Sequence, residues 1–287
     1  MNTRGLAQAA MAQRTEQTEH LIYMRLAKGC KDPKNAKVLE DIAQAERAHA
    51  LFWEEKTGRS AAPNKFKVLR MVLLAKILGL TFVLKQMERR EGTGSRLYRE
   101  LAKDYPEAGR IAAEEAAHEA ALLDMLDEER LRYVGSIVLG LNDALVELTG
   151  SLAGFTLALG QTRLISLAGL VTGISAAFSM AASDYLSSKA EGDERARKSA
   201  LYTGVAYLLT VIALILPYLF LASKLLALGI TLAIAVFIIF CFNYYLSVAK
   251  DYDFKKRFAE MAGISLGVAA FSFFVGWVLK AALGVGA

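Results

Sequence analysis

The chain is poor in cysteine, and the two it has, Cys30 and Cys241, fall in opposite halves with no CxxC pair. That excludes a disulfide framework. The amino terminus, MNTRGLAQAAMAQRTEQTEH, lacks the apolar core of a signal peptide, so the first part of the chain is expected in the cytoplasm. Excess charge is also scarce. The formal net charge is only +5, and the basic residues are scattered or sit at the edges of apolar segments, which argues against nucleic acid as a partner. Charge is thinnest after residue 132, where apolar blocks alternate with short polar loops. With 54% hydrophobic residues, a chain of 287 is too apolar for an ordinary soluble protein and reads as a membrane protein. A boundary at Glu128-Glu129-Arg130-Leu131-Arg132 divides a polar domain, 1–132, from a membrane domain, 133–287.

What the polar domain does have is helical periodicity. Four amphipathic stretches run from about Leu6 to Lys28, Pro33 to Thr57, Met87 to Lys103 and Pro106 to Arg132, with Gly29 and Gly58 as stops. The first and last connections are short and the middle one is long, which predicts an all-α, ferritin-like four-helix bundle with one crossover. An internal repeat supports the pattern. Glu16, Tyr23 and Ala27 on the first stretch recur at the same spacing as Glu91, Tyr98 and Ala102 on the third. The second and fourth share a signature, Glu46-Arg-Ala-His49 and Glu115-Ala-Ala-His118.

Residues i and i+3 project from one helix face, so each ExxH offers a carboxylate and an imidazole to the same ion. Two such pairs and one glutamate from each remaining helix compose a dinuclear site of the ferritin-like kind: Glu16, Glu46, His49, Glu91, Glu115 and His118. Carboxylate and imidazole donors together suit iron or manganese. Two of the chain's three histidines occupy equivalent places in the repeat. His20, the third, reads as a surface residue or as one supporting the ligands. Glu88 and Glu19, each one turn from a ligand, are either additional ligands or part of a solvated face. The crossover, 65–84, is unusually apolar and carries Lys65, Lys67, Arg70 and Lys76, with Lys85 just beyond. It reads as a helix lying on the membrane surface or another protein face, or else covered by the bundle itself.

On these motifs, residues 6–132 resemble the rubrerythrin branch of the ferritin-like superfamily, including an ExxE pair at Glu88 and Glu91. The resemblance implies a di-iron site. The paired CxxC motifs of a rubredoxin module are absent, which speaks against an ordinary rubrerythrin peroxidase reaction.

The membrane domain opens with Tyr133–Leu159, long enough to cross a bilayer yet carrying Asp143 and Glu147 four apart on one face. An ionisable side chain at membrane depth costs roughly 2.5–3.5 kcal/mol even on insertion-derived scales. Such acids face a transport pathway or are paired inside a bundle. Further apolar segments cover about 164–189, 200–222, 224–248 and 261–283, giving five spans. Arg130, Arg132, Lys189, Arg195, Arg197, Lys198, Lys250, Lys255, Lys256 and Arg257 fall on one side, against Arg163, Lys224 and Lys280 on the other. The positive-inside rule then places the first domain in the cytoplasm and the carboxyl terminus outside. Met180 and Asp184 share a face of the second span, where a thioether beside carboxylates offers a site for a divalent transition metal; a lipid-facing methionine is the plainer reading.

Gly140-Leu-Asn142-Asp143-Ala-Leu-Val146 and Ser179-Met180-Ala-Ala-Ser-Asp184 resemble the first two helices of the vacuolar iron transporter family. That resemblance implies a homodimer with five membrane helices per subunit, moving ferrous iron or manganese out of the cytoplasm in exchange for protons. The matching pathway positions are Asp143, Met180 and Asp184, with Asn142 adjacent and Glu147 one turn on. The sequence departs from the plant pattern at Asp184 and Glu147, and it lacks the metal-binding insertion between the second and third spans. Taken together, the two halves are similar to the erythrin–vacuolar iron transporter fusions, or membrane-bound ferritins. The implied function is a metal exporter with a cytoplasmic di-iron capture domain. A membrane-anchored ferroxidase or peroxide-consuming enzyme is the alternative, and a static storage assembly a third; no catalytic residue is assigned.

Overall fold

The computed structural model describes the backbone of residues 3–124, 133–250 and 252–283, and the side chains of these except 3–4, 88–96, 99–100, 119, 123–124 and 283. Every regular element among the described residues is helical. The chain divides into two compact units, Met1–Glu128 and Glu129–Ala287.

The first unit contains α1 (Thr3–Gly29), α2 (Pro33–Thr57), α3 (Lys65–Leu78), α4 (Leu80–Asp104) and α5 (Ala108–Asp124). Local chemistry fixes the ends of α2. The Asp32 carboxylate accepts from the backbone N–H of Lys34 at 2.8 Å, and Pro33 supplies a φ already suited to a first turn. Gly58 ends the helix at φ 66 in the left-handed region. The apolar crossover is not one helix. Gly79 takes φ 99, outside the right-handed region, so α3 stops at Leu78 and residues 80–84 open α4, which starts earlier than the amphipathic pattern suggests. The fourth stretch begins at Ala108, because Pro106 belongs to the turn after α4, and its expected continuation beyond Asp124 lies outside the described residues.

Within this unit α1 packs along α2 and α4 along α5, while α1 also meets α3 and α4 and α2 meets α5. Trp53 of α2 is fully buried, with Tyr98 stacked at 6.2 Å and Tyr105 edge-on at 5.6 Å, over Ala9, Ala12, Leu101 and Ile111. The repeated tyrosines, Tyr23 and Tyr98, are both core residues.

The second unit is formed by α6 (Val134–Ala158), α7 (Thr162–Ala190), α8 (Ala196–Phe220), α9 (Lys224–Ala249) and α10 (Phe254–Leu283). All five are long and apolar enough to cross a membrane, as a multi-pass membrane protein requires. Three begin earlier than their apolar windows because the helices run on through charged ends, as at Arg197 and Lys255. Helix α6 packs against α8 and α10, and α7 runs along α8. Close approach depends on glycine. A Cβ at Gly140 would run into the backbone carbonyl of Thr203, and one at Gly276 would lie 2.6 Å from the carbonyl oxygen of Gly154. Outward-facing side chains are large and apolar, including Phe178, Phe220, Phe271 and Trp277. On a surface in water they would form a heavy liability, but against lipid they cost nothing.

Helix α6 is not a regular α-helix throughout. Ala144–Leu148 form a π turn, directly after Asp143 and containing Glu147. The buried Ser265 hydroxyl of α10 donates to the Leu145 carbonyl inside that turn at 2.7 Å. A carbonyl loosened from the regular ladder thus has a partner from another helix.

Candidate functional site

Three helices of the first unit converge on one polar cluster: α1 brings Glu16, α2 brings Glu46 and His49, and α5 brings Glu115 and His118. Ligand-type atoms of Glu16, Glu46, His49 and Glu115 all lie within 4.8 Å of one another. His49 Nδ1 is 3.0 Å from Glu115 and 3.5 Å from Glu46, and His118 Nδ1 is 3.3 Å from the other Glu46 oxygen. Yet Glu16 Oε2, Glu46 Oε2, His49 Nδ1, Glu115 Oε1 and His118 Nδ1 are all buried with no aligned hydrogen-bond partner. Five polar atoms aimed into one small volume without satisfying each other are costly unless a cation receives them. The cluster can hold a metal ion, and its donors suit a hard or borderline metal such as iron or manganese.

The electrostatics describe the same demand for positive charge. Burial, together with contact to Glu46, pushes the Glu16 carboxyl well above its usual range. Burial also raises Glu115, against the pull of His49. Burial opposes ionisation of Glu46 too, but His118 and His49 outweigh it and bring Glu46 down to about 2. Burial lowers the two imidazoles, yet the carboxylates prevail: His49 rises to about 10 through Glu115, Glu46 and Glu114, and His118 rises through Glu46. Protons here take the place that a bound cation would fill.

The other expected ligands are placed differently. Glu19 is held by Lys67 at 2.9 Å, outside the cluster, with burial raising it to about 7 despite that cation. His20 donates from Nδ1 to the Ala43 carbonyl at 2.6 Å, pinning α1 to α2. Glu88 and Glu91 lie on α4, but their side chains are outside the described residues. Glu114 was not foreseen. Its carboxylate accepts from His49 Nε2 at 2.7 Å, which fixes the ring so that Nδ1 faces the cluster. The Glu114-Glu115 pair was visible in the sequence, but Glu114 lies off the i, i+3 face on which ligands were sought.

In the second unit, Asn142, Asp143 and Met180 line a cleft of about 470 Å³ among α6, α7, α9 and α10, together with Met261 and Ser265. The side-chain oxygen of Asn142 is buried without a hydrogen-bond partner. Asp143 and Glu147 lie four residues apart on α6, close enough for their charges to interact, and Tyr207 donates its hydroxyl to Glu147 at 3.0 Å. Asp184 is elsewhere. It accepts from Ser199 at 2.7 Å and Thr203 at 2.9 Å, and Ser199 is in turn 2.6 Å from the Ser136 hydroxyl. Met180 and Asp184, neighbours by spacing, therefore meet different surroundings.

Residues 134–198 match the VIT family of vacuolar iron transporters. The VIT match spans α6, α7 and the first residues of α8, and it contains all five expected pathway positions. Met261, Ser265 and Tyr207 lie beyond it. The VIT relationship points to transport of metal ions across a membrane, in keeping with five membrane-capable helices. No curated protein matches the chain.

Proposed function

We propose that the protein exports ferrous iron, or manganese, from the cytoplasm: the Glu/His cluster of the first unit captures the ion, and the second unit carries it through the cleft at Asp143. The observation that carries this reading is the cleft itself. Within the VIT-matched stretch it brings together a carboxylate, a buried amide oxygen with no partner and a thioether, a donor set able to replace the water shell of a divalent transition metal. The two acids of α6, Asp143 and Glu147, supply coupling to protons in this reading. A carboxyl pair that holds a proton when free and releases it when a cation enters moves the two ions in opposite directions. The basic ends of the spans favour a cytoplasmic first unit, and the likeness to the vacuolar iron transporters favours a homodimer.

The first unit is a rubrerythrin-type, ferritin-like di-iron domain in this reading, supported by the orphaned donors of Glu16, Glu46, His49, Glu115 and His118. Bound iron would supply redox chemistry there. The same cluster favours a second reading, a membrane-anchored ferroxidase or peroxide-consuming enzyme.

Proteoliposomes separate the two. Export predicts ferrous iron flux that a proton gradient drives uphill and that Asp143→Asn and Asp184→Asn each abolish. Met180→Ala should weaken flux or change the choice between iron and manganese. Flux indifferent to the gradient and to Asp143→Asn, with peroxide turnover by the same preparation, would establish the anchored enzyme instead.

A further inference from the structure

Helix α3 is apolar on both sides, and its own unit covers only one of them. Val68 and Met71 are buried, whereas Phe66, Leu69, Leu73 and Ile77 are 74%, 61%, 53% and 59% exposed. Their spacing lines them up along one face of the helix. An apolar face of this length on a helix end-capped and packed by its neighbours calls for a covering surface.

The charge around the face says what kind. From Ser60 to Met87 the chain has no aspartate or glutamate, but it has Lys65, Lys67, Arg70, Lys76 and Lys85. Lys65 and Lys76 are exposed at the two ends of α3. Beside the helix, Arg25 of α1 and Lys76 border a cleft of about 130 Å³, otherwise lined by Leu26, Val72 and Leu80 among others. Its size and two cations match a phosphate-bearing headgroup, and its apolar walls match the start of an acyl chain.

We propose that α3 docks on an anionic lipid surface, with Phe66, Leu69, Leu73 and Ile77 entering the headgroup boundary and Lys65, Arg25 and Lys76 meeting lipid phosphates. A helix lying in the interface uses this combination of apolar depth and basic flanks. Five helices among the described residues are membrane-capable, so the first unit is tethered by its own chain to a bilayer. The docking requires no metal and stands apart from the export reading.

The test uses the full chain in nanodiscs, with Cys30 and Cys241 replaced by serine and a nitroxide attached at Leu69→Cys. Met11→Cys, at an exposed site on α1 of the same unit, serves as the reference. In discs containing phosphatidylglycerol, the Leu69 label should collide readily with oxygen and poorly with a water-soluble nickel chelate, while the Met11 label shows the reverse. Lys65→Glu combined with Lys76→Glu should return the Leu69 label to water, with membrane partitioning falling roughly fivefold per cation removed. Equal nickel access at Leu69 in phosphatidylglycerol and phosphatidylcholine discs would overturn the proposal. So would shielding accompanied by dipolar broadening between two Leu69 labels, which would assign the face to a second copy of the chain.

Discussion

His49 donates its Nε2–H to Glu114 at 2.7 Å and is thereby turned so that Nδ1 faces the carboxylates of Glu46 and Glu115. A ligand ring held from behind is both oriented and made more basic. Glu114→Gln should therefore leave the number of metal ions per protomer unchanged while lowering affinity about 10- to 100-fold. Competition against a chelator of known strength measures the affinity, and elemental analysis the stoichiometry. Replacing Glu46, His49, Glu115 and His118 together should instead lower the stoichiometry without preventing membrane insertion.

Tyr207 offers a separate handle on the membrane unit. Tyr207→Phe removes the hydroxyl that donates to Glu147 and leaves that carboxyl to find another partner. If the Asp143–Glu147 pair couples protons to metal, the pH dependence of flux should shift in this variant. A change in maximal rate alone, at an unmoved pH midpoint, would assign Tyr207 to packing.

Gly140 and Gly135, on the same helix, predict opposite outcomes for one added methyl group. Gly140→Ala would press a Cβ into the Thr203 carbonyl, disturbing the backbone beside the hydroxyl that serves Asp184, whereas Gly135 has open space around it. Gly140→Ala should lower the unfolding temperature in detergent and reduce flux. Gly135→Ala should leave the unfolding temperature where it is.

Chelator-stripped protein should lose stability as pH rises. Glu19, with its pKa raised from 4.5 to about 7, favours the fold below 4.5 and ceases to do so as pH climbs through 7. His49, raised from 6.5 to about 10, adds a second loss over that higher range. Glu46, lowered to about 2, works in the opposite sense and weakens the fold only as pH falls from 4.5 toward 2. Fluorescence of the buried Trp53 should report a first-unit melting temperature that declines between pH 5 and 9. Saturating manganese should flatten that decline, since the cation replaces protons in the cluster.

The ExxH pairs could be read in the chain because i, i+3 geometry is local: the spacing that places Glu46 beside His49 also places Glu115 beside His118. The apolar spans were equally legible, their length and composition being properties of single segments. Contacts between helices were not. Glu114, Tyr207 and Met261 gain their places only when α2 meets α5, α6 meets α8 and α10 closes the cleft. Met180 and Asp184 show the limit of spacing on one helix, since a shared face does not tell which neighbour covers each of its turns. The break at Gly79 was also hidden, because an apolar run on either side gives no periodicity to interrupt.

The π turn at Ala144–Leu148 makes the chain there one residue longer than an unbroken helix would need. Deleting a single residue from it should heal the ladder rather than sever it, because the wider turn takes up the extra residue and the helix on either side keeps its facing. Leu152 and Thr156 would then keep their neighbours, while the Leu145 carbonyl would return to the ladder and release the Ser265 hydroxyl. A protein so shortened would fold, insert and melt much as before, yet the wall beside its acid would close into unbroken helix.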